Sequence, residues 1–130
     1  MEYEFHLDRE PFRMIWLGRK TIELRMCDEK RRNIAPGDTV RFVLRDDERL
    51  AMEVKVTAVH RFGSFKELYG SLPLSKCGYP KDDMPGEPWR DMEIYPGYSP
   101  EDQEKLGVLG IEFEGIPFHN PRRDPFRTCP

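Results

Sequence analysis

Apolar and polar residues alternate along much of this chain, and the alternation marks its strands. Met1, Tyr3, Phe5 and Leu7 alternate with Glu2, Glu4 and His6, which predicts a short strand. A second strand is predicted from Lys20 to Met26, with Ile22, Leu24 and Met26 facing a core and Thr21, Glu23 and Arg25 facing the other way. Thr39 to Leu44 (TVRFVL) reads as a third. Leu50 to Phe62 is a long fourth, with Met52, Val54, Val56 and Ala58 set against Glu53, Lys55 and Thr57. Gly107 to Glu114 (GVLGIEFE) is an apolar fifth.

Between these strands the pattern changes to helical signals. Asp8 is placed to cap a helix with Glu10 and Pro11 in its first turn and Phe12, Ile15 and Trp16 on one face; Gly18 fits the position after its end, where φ is often positive. Ser64 and Glu67 predict a capping box for a short helix through Tyr69. Ser99-Pro100-Glu101-Asp102 is a strong helix start, and Gly107 ends that helix. Cys27 to Ile34 reads as a polar loop, Pro36-Gly37-Asp38 as a tight turn, and Arg45 to Arg49 as a hairpin loop. Gly70 to Gly97 is rich in Pro and Gly and holds Trp89, with three tyrosines in or beside it (Tyr79, Tyr95 and Tyr98); loops of that length are usually functional or mobile.

The order β-α-β-β-β-α-loop-α-β predicts a β-rich α+β fold, a small β-barrel with short helices at its edges. A doubly wound sheet is not expected, because long helices do not separate the strands. With 130 residues the chain fits one domain, read as residues 1–116. Residues 117–130 hold four prolines and no apolar periodicity, and are expected to be a poorly ordered tail.

Charge narrows the function classes. The net charge is −3, so contact with nucleic acid must come from a local basic patch rather than from the molecule as a whole. No apolar run is long enough to span a bilayer, and no signal-like start is present, which favours the cytoplasm. Cys27, Cys77 and Cys129 are odd in number and lack CxxC spacing; His6, His60 and His119 are scattered. Neither a disulfide framework, a metal site nor a cofactor is expected from them.

The candidate chemistry lies between Leu17 and Gly37 (LGRKTIELRMCDEKRRNIAPG). One strand there carries Glu23 and Arg25 side by side, with Lys20 before them and Lys30, Arg31 and Arg32 after. That face suits an anionic, hydrogen-bonding ligand such as a nucleotide or RNA. A solvated strand edge and charged turn explain the same pattern without a ligand. Strict parity puts Lys20 and Glu23 on opposite faces; they converge only if the strand starts late, near Thr21, or carries a bulge. Tyr95, Tyr98 and Trp89 could stack on bases or cover the edge of the core. Ser64 and Ser99 read as caps, and Cys27 as an inert thiol despite its basic neighbours.

GRKTIELR at Gly18 to Arg25 resembles the GxKxxExR signature of ASCH domains, small proteins with a barrel related to the PUA RNA-binding fold. The likeness continues through DEKRRNIAPGDTVRF (Asp28 to Phe42), SFKELY (Ser64 to Tyr69) and YSPEDQEKLGVLGIEF (Tyr98 to Phe113). It is similar to the ASCH subfamily in which Asp-Glu-Lys-Arg-Arg follows the signature strand. The resemblance implies a PUA-like barrel whose cleft has an RNA-related role. Some members are hydrolases: one bacterial member removes acetyl from acetylated cytidine with a lysine of the GRKT motif, a threonine three residues on and a distal glutamate, and another is described as a ribonuclease. Lys20 falls on that lysine. Glu23 stands where the threonine would be, so the nucleophilic hydroxyl is missing. Glu87 and Glu93 lie in the region of the distal glutamate.

The reading taken forward is a nucleotide- or RNA-binding domain with a cleft formed by Lys20, Glu23 and Arg25, and with Lys30, Arg31, Arg32 and Tyr98 as further binding residues. Its rival is a small hydrolase of modified nucleosides or RNA, with Lys20 as base or nucleophile and Glu23 as proton acceptor. A regulatory domain that binds a protein partner is the third.

Overall fold

The computed structural model describes residues 1–115. The tail read from residue 117 onward, with His119 and Cys129, lies outside the described residues. Five strands form one sheet: β1 (Glu2–Leu7), β2 (Ile22–Met26), β3 (Thr39–Leu44), β4 (Ala51–Phe62) and β5 (Val108–Gly115). Three short helices lie between them, α1 (Arg9–Trp16), α2 (Phe65–Ser71) and α3 (Pro100–Leu106). The element order is the one the sequence predicts. Two 3-10 helices, Leu74–Lys76 and Pro88–Ile94, break up the stretch read as irregular.

The strand order is β1-β3-β4-β5-β2, with β1 parallel to β3 and every other pair antiparallel. β4 pairs with β3 over Ala51 to Lys55 and with β5 over Val54 to Phe62, and a register shift between Val56 and Ala58 lies in this strand. Such irregularities bend a strand and raise its twist. The sheet curls into a half-barrel until its two edge strands meet: Arg25 Nη2 on β2 donates to the His6 carbonyl on β1 at 3.2 Å. A side chain, not a backbone ladder, spans that seam.

Both faces of the curled sheet are covered. The concave core holds Phe5, Phe12, Ile34, Phe42, Val54 and Ile111. On the other face Ile22, Leu24 and Met26 pack with Phe65 and Leu68 of α2. Gly110 makes room for that layer, since a Cβ there would lie 2.6 Å from Leu72 Cδ1. β2 is therefore buried on both sides. Glu23 pairs with Ile111 and Arg25 with Leu109, so both charged side chains share a face with the concave core. The polar side of the predicted strand is an interior.

Some local expectations are refined. Gly18 follows the end of α1 with φ of 76°, as its position after the helix requires. Asp8 holds the N-cap position of α1 without a side-chain cap bond, and its carboxylate pairs with Arg45 at 3.1 Å. Ser64 caps α2, but Glu67 reaches Gly63 N–H at 3.1 Å rather than closing the box on Ser64. Ser99 and Asp102 form a complete capping box.

Candidate functional site

β2 begins at Ile22, after Lys20, so strand parity does not hold the lysine away from Glu23. Thr21 is fixed instead by loop contacts: its N–H donates to Lys76 O at 2.9 Å, and its carbonyl accepts from Phe113 N–H at 3.0 Å. The late start brings Lys20 Nζ to 2.8 Å from Glu23 Oε1. Glu23 Oε2 accepts from Arg25 Nε at 3.0 Å. Two cations thus enclose one carboxylate that is 4% exposed.

Burial alone would raise the Glu23 pKa, but the charges and hydrogen bonds of Lys20 and Arg25 outweigh it and hold the carboxyl at about 2. Burial likewise works against the charge on Arg25, while Glu23 and Tyr98 hold that guanidinium above its ordinary range. Arg25 also lies over the Phe5 ring, 4.8 Å from its centroid. The cluster carries one surplus positive charge. It has further N–H donors besides those Glu23 accepts, because an ammonium has three and a guanidinium five.

This cluster lines a cavity of about 780 Å³ that opens at the seam between β1 and β2. The size is in the range of small-ligand sites. Arg31 lines it, tied to Asp28 at 2.8 Å and set over Phe5 at 5.2 Å. Lys30 and Arg32 are exposed and do not line it. The basic segment thus contributes one residue to the cavity, because the turn after β2 directs only its middle arginine inward. Tyr98 lines the cavity, stacked on Phe65 at 5.9 Å and in edge contact with Tyr95 at 5.6 Å. Trp89 does not; it packs on the α2 layer with Lys66 above its ring.

Sequence reasoning missed a second group of lining residues, next to Lys20 through the Lys76–Gly78 segment. Tyr69 from α2, Tyr79 from the loop and Asp91 from the second 3-10 helix all line the cavity. Their polar atoms form a chain: Tyr69 and Tyr79 hydroxyls are 2.7 Å apart, and Tyr79 donates to Asp91 Oδ2 at 2.9 Å. No periodicity links these positions, so the sequence carries no signal for their meeting. Glu87 and Glu93 do not line the cavity; both pair with Arg90, and Glu93 also takes a long contact from Gln103 Nε2. The acidic residue in this group is Asp91. Cys77 also lines the cavity and is buried, and burial pushes its thiol up to about 11, so it is a neutral thiol at physiological pH. Among the described residues no group of three metal-ligating side chains could hold an ion, and no helix is long and apolar enough to cross a membrane.

The comparisons with known proteins agree with this architecture. The solved structure of hypothetical protein PH0355 is similar at 31% identity and a TM-score of 0.72, covering 89% of this chain and 100% of that one. The solution structure of protein PF0455 from Pyrococcus furiosus is similar at 30% identity and a TM-score of 0.63, covering 91% of this chain and 100% of that one. No curated protein matches. The fold is a small PUA-like barrel of the α+β class. The family model for the ASCH domain matches residues 5–117, and the chain belongs to the ASCH family.

Proposed function

We propose that the cavity binds a nucleotide unit, free or within single-stranded RNA. The observation that carries this reading is the surplus positive charge of Lys20-Glu23-Arg25 at the wall of a nucleotide-sized cavity that also holds Tyr95 and Tyr98. Charge-assisted N–H donors suit a phosphate or a base carbonyl. Tyrosine faces stack on bases with little regard to sequence. Arg31, which lines the cavity paired with Asp28, has N–H donors left over that can meet the backbone. Membership of a family linked to RNA points the same way.

Binding is favoured over hydrolysis by the state of Glu23. A carboxylate held at about 2 is a weak base, and position 23 has no hydroxyl to serve as a nucleophile. Catalytic roles for Lys20 and Glu23 therefore belong to the rival reading.

The test is calorimetric titration of the four nucleoside 5′-monophosphates and a short single-stranded RNA at several salt concentrations. Binding is expected, weakening as salt rises, because cations that displace counterions set the slope. Arg31→Ala should flatten the slope more than Lys30→Ala and Arg32→Ala combined. Equal slopes in all variants would remove Arg31 from the binding face. Acylated nucleosides and RNA incubated with the wild type are followed in parallel by mass spectrometry. Turnover that disappears in Lys20→Ala and Glu23→Gln would replace the binding reading with the hydrolase.

A further inference from the structure

The Tyr69-Tyr79-Asp91 chain has a fixed direction, and that direction gives the cavity a second kind of recognition. Tyr79 has one hydroxyl proton. Its two neighbours on the outer side are Asp91 Oδ2 at 2.9 Å and the Pro88 carbonyl at 3.3 Å, and both are acceptors. The Tyr79 proton therefore points outward. Its oxygen is left to accept, and the group 2.7 Å away on the inner side is the Tyr69 hydroxyl. Tyr69 must donate to Tyr79. The opposite arrangement would set the Tyr79 lone pairs against a carboxylate at hydrogen-bond distance.

Tyr69 is 7% exposed and lines the cavity, so with its proton spent it presents only lone pairs to a ligand. Burial raises both phenols above their ordinary range, which keeps them neutral and the chain intact. The Lys20-Glu23-Arg25 cluster supplies the reverse. Lys20 and Arg25 can only donate. The cavity thus sets obligate donors against an obligate acceptor.

We propose that Tyr69 is a specificity-determining residue: its hydroxyl oxygen accepts from an N–H of the bound nucleobase while Lys20 and Arg25 donate to acceptors of the same ligand, with Tyr79 and Asp91 as positioning residues that fix the direction. This rests on the nucleotide-binding reading above. It adds that the site selects a base by the proton it offers, and disfavours one that presents an acceptor there. A site built to pair a ligand N–H rejects an analogue lacking it, because a buried polar atom is left without a partner.

Two experiments test it. The first needs no ligand. In proton NMR of the wild type, the Tyr69 hydroxyl should be visible and protected from solvent exchange; in Tyr79→Phe it should lose that protection. A Tyr69 hydroxyl that exchanges freely in the wild type would overturn the assigned direction. The second titrates the four nucleoside 5′-monophosphates, and versions methylated at the base N–H, into wild type, Tyr69→Phe, Tyr79→Phe and Lys20→Ala. The preferred nucleotide should lose roughly 10-fold or more in affinity on Tyr69→Phe, and by a similar factor on methylation. In the Tyr69→Phe background, methylation should cost little more. Tyr79→Phe lets Tyr69 donate and should narrow the preference between methylated and unmethylated bases. If Lys20→Ala abolishes binding while Tyr69→Phe leaves affinity and ranking unchanged, the acceptor role is wrong and the binding reading stands. If no nucleotide binds the wild type, both fall.

Discussion

Replacing Glu23 by glutamine isolates the charge at the centre of the site. The side chain keeps its shape, so packing around it changes little. A carboxyl that titrates at about 2 in the folded chain and at its ordinary 4.5 when unfolded contributes about 3 kcal/mol of stability at neutral pH. Removing one member of a buried ion cluster costs a similar amount, about 3–5 kcal/mol, because Lys20 and Arg25 lose their counter-charge. The sign follows from the direction of the shift. A depressed carboxyl stabilises above its unfolded pKa, and that contribution is lost as pH falls from 4.5 through about 2. Wild type and Glu23→Gln should therefore differ by about 3 kcal/mol at pH 7 and converge toward pH 2, where the carboxyl is neutral in the unfolded chain and about half protonated in the folded one. Urea unfolding at a series of pH values reads the difference directly, and carboxylates other than Glu23 cancel in it. At neutral pH the gap should appear as a loss of roughly 10 °C in Tm. A gap that is the same at pH 7 and near pH 2 would show that the substitution acts through packing, and the charge argument would fail.

Gly78 combines φ of 103° with a Cβ position 3.4 Å from Lys20 Cδ, so Gly78→Ala should cost about 1–2 kcal/mol in urea unfolding and weaken nucleotide binding in parallel; an unchanged affinity would mean that Lys20 tolerates displacement. With Cys129 changed to serine, native protein treated with a thiol reagent at pH 8 should label at Cys27 well before Cys77, whose buried thiol remains protonated; equal rates would contradict its placement. Truncation after Ile116 should shift Tm by only a few degrees, because residues before it already assemble two apolar cores among the described residues; a loss of roughly 10 °C or more would put part of the domain beyond that boundary.

Local rules carried the sequence reading well where contacts are local. Ser64, Ser99 and Gly18 signal helix ends because a cap involves neighbours in the chain, and the alternation in β1, β3 and the first half of β4 survives because each has one dominant apolar face; past Val56 the register shift turns Val59 rather than the expected Ala58 onto the core. β2 is harder. Alternation names Ile22, Leu24 and Met26 as the buried side, yet Glu23 is buried too, because the concave core lies behind it. Charge cannot report that burial when its partners sit two and three residues away. Arg25 reaching His6 depends on the parallel pairing of β1 with β3 and on the curl of the sheet, neither of which leaves a mark on either residue's neighbours. Tyr69, Tyr79 and Asp91 were overlooked for the same reason: their meeting depends on how a helix, a loop and a 3-10 turn fold over one another. Asp8 shows the converse, a residue of cap type in cap position whose side chain is drawn to Arg45 instead.

The seam between β1 and β2 has a consequence for how this molecule can diversify. Where a backbone ladder closes a barrel, side chains at the closure are free to drift. Here the closure is itself a side chain, and Arg25 is bound at the same time to Glu23. A lineage that altered Arg25 to acquire a new ligand would unfasten its own scaffold in the same step. Change disturbs less at Tyr79 and Asp91, which hang from a loop and a short 3-10 helix and contribute to no strand. Descendants of this chain should therefore keep the β2 residues and explore new chemistry through that loop, with inheritance concentrated in the sheet and invention in the loop.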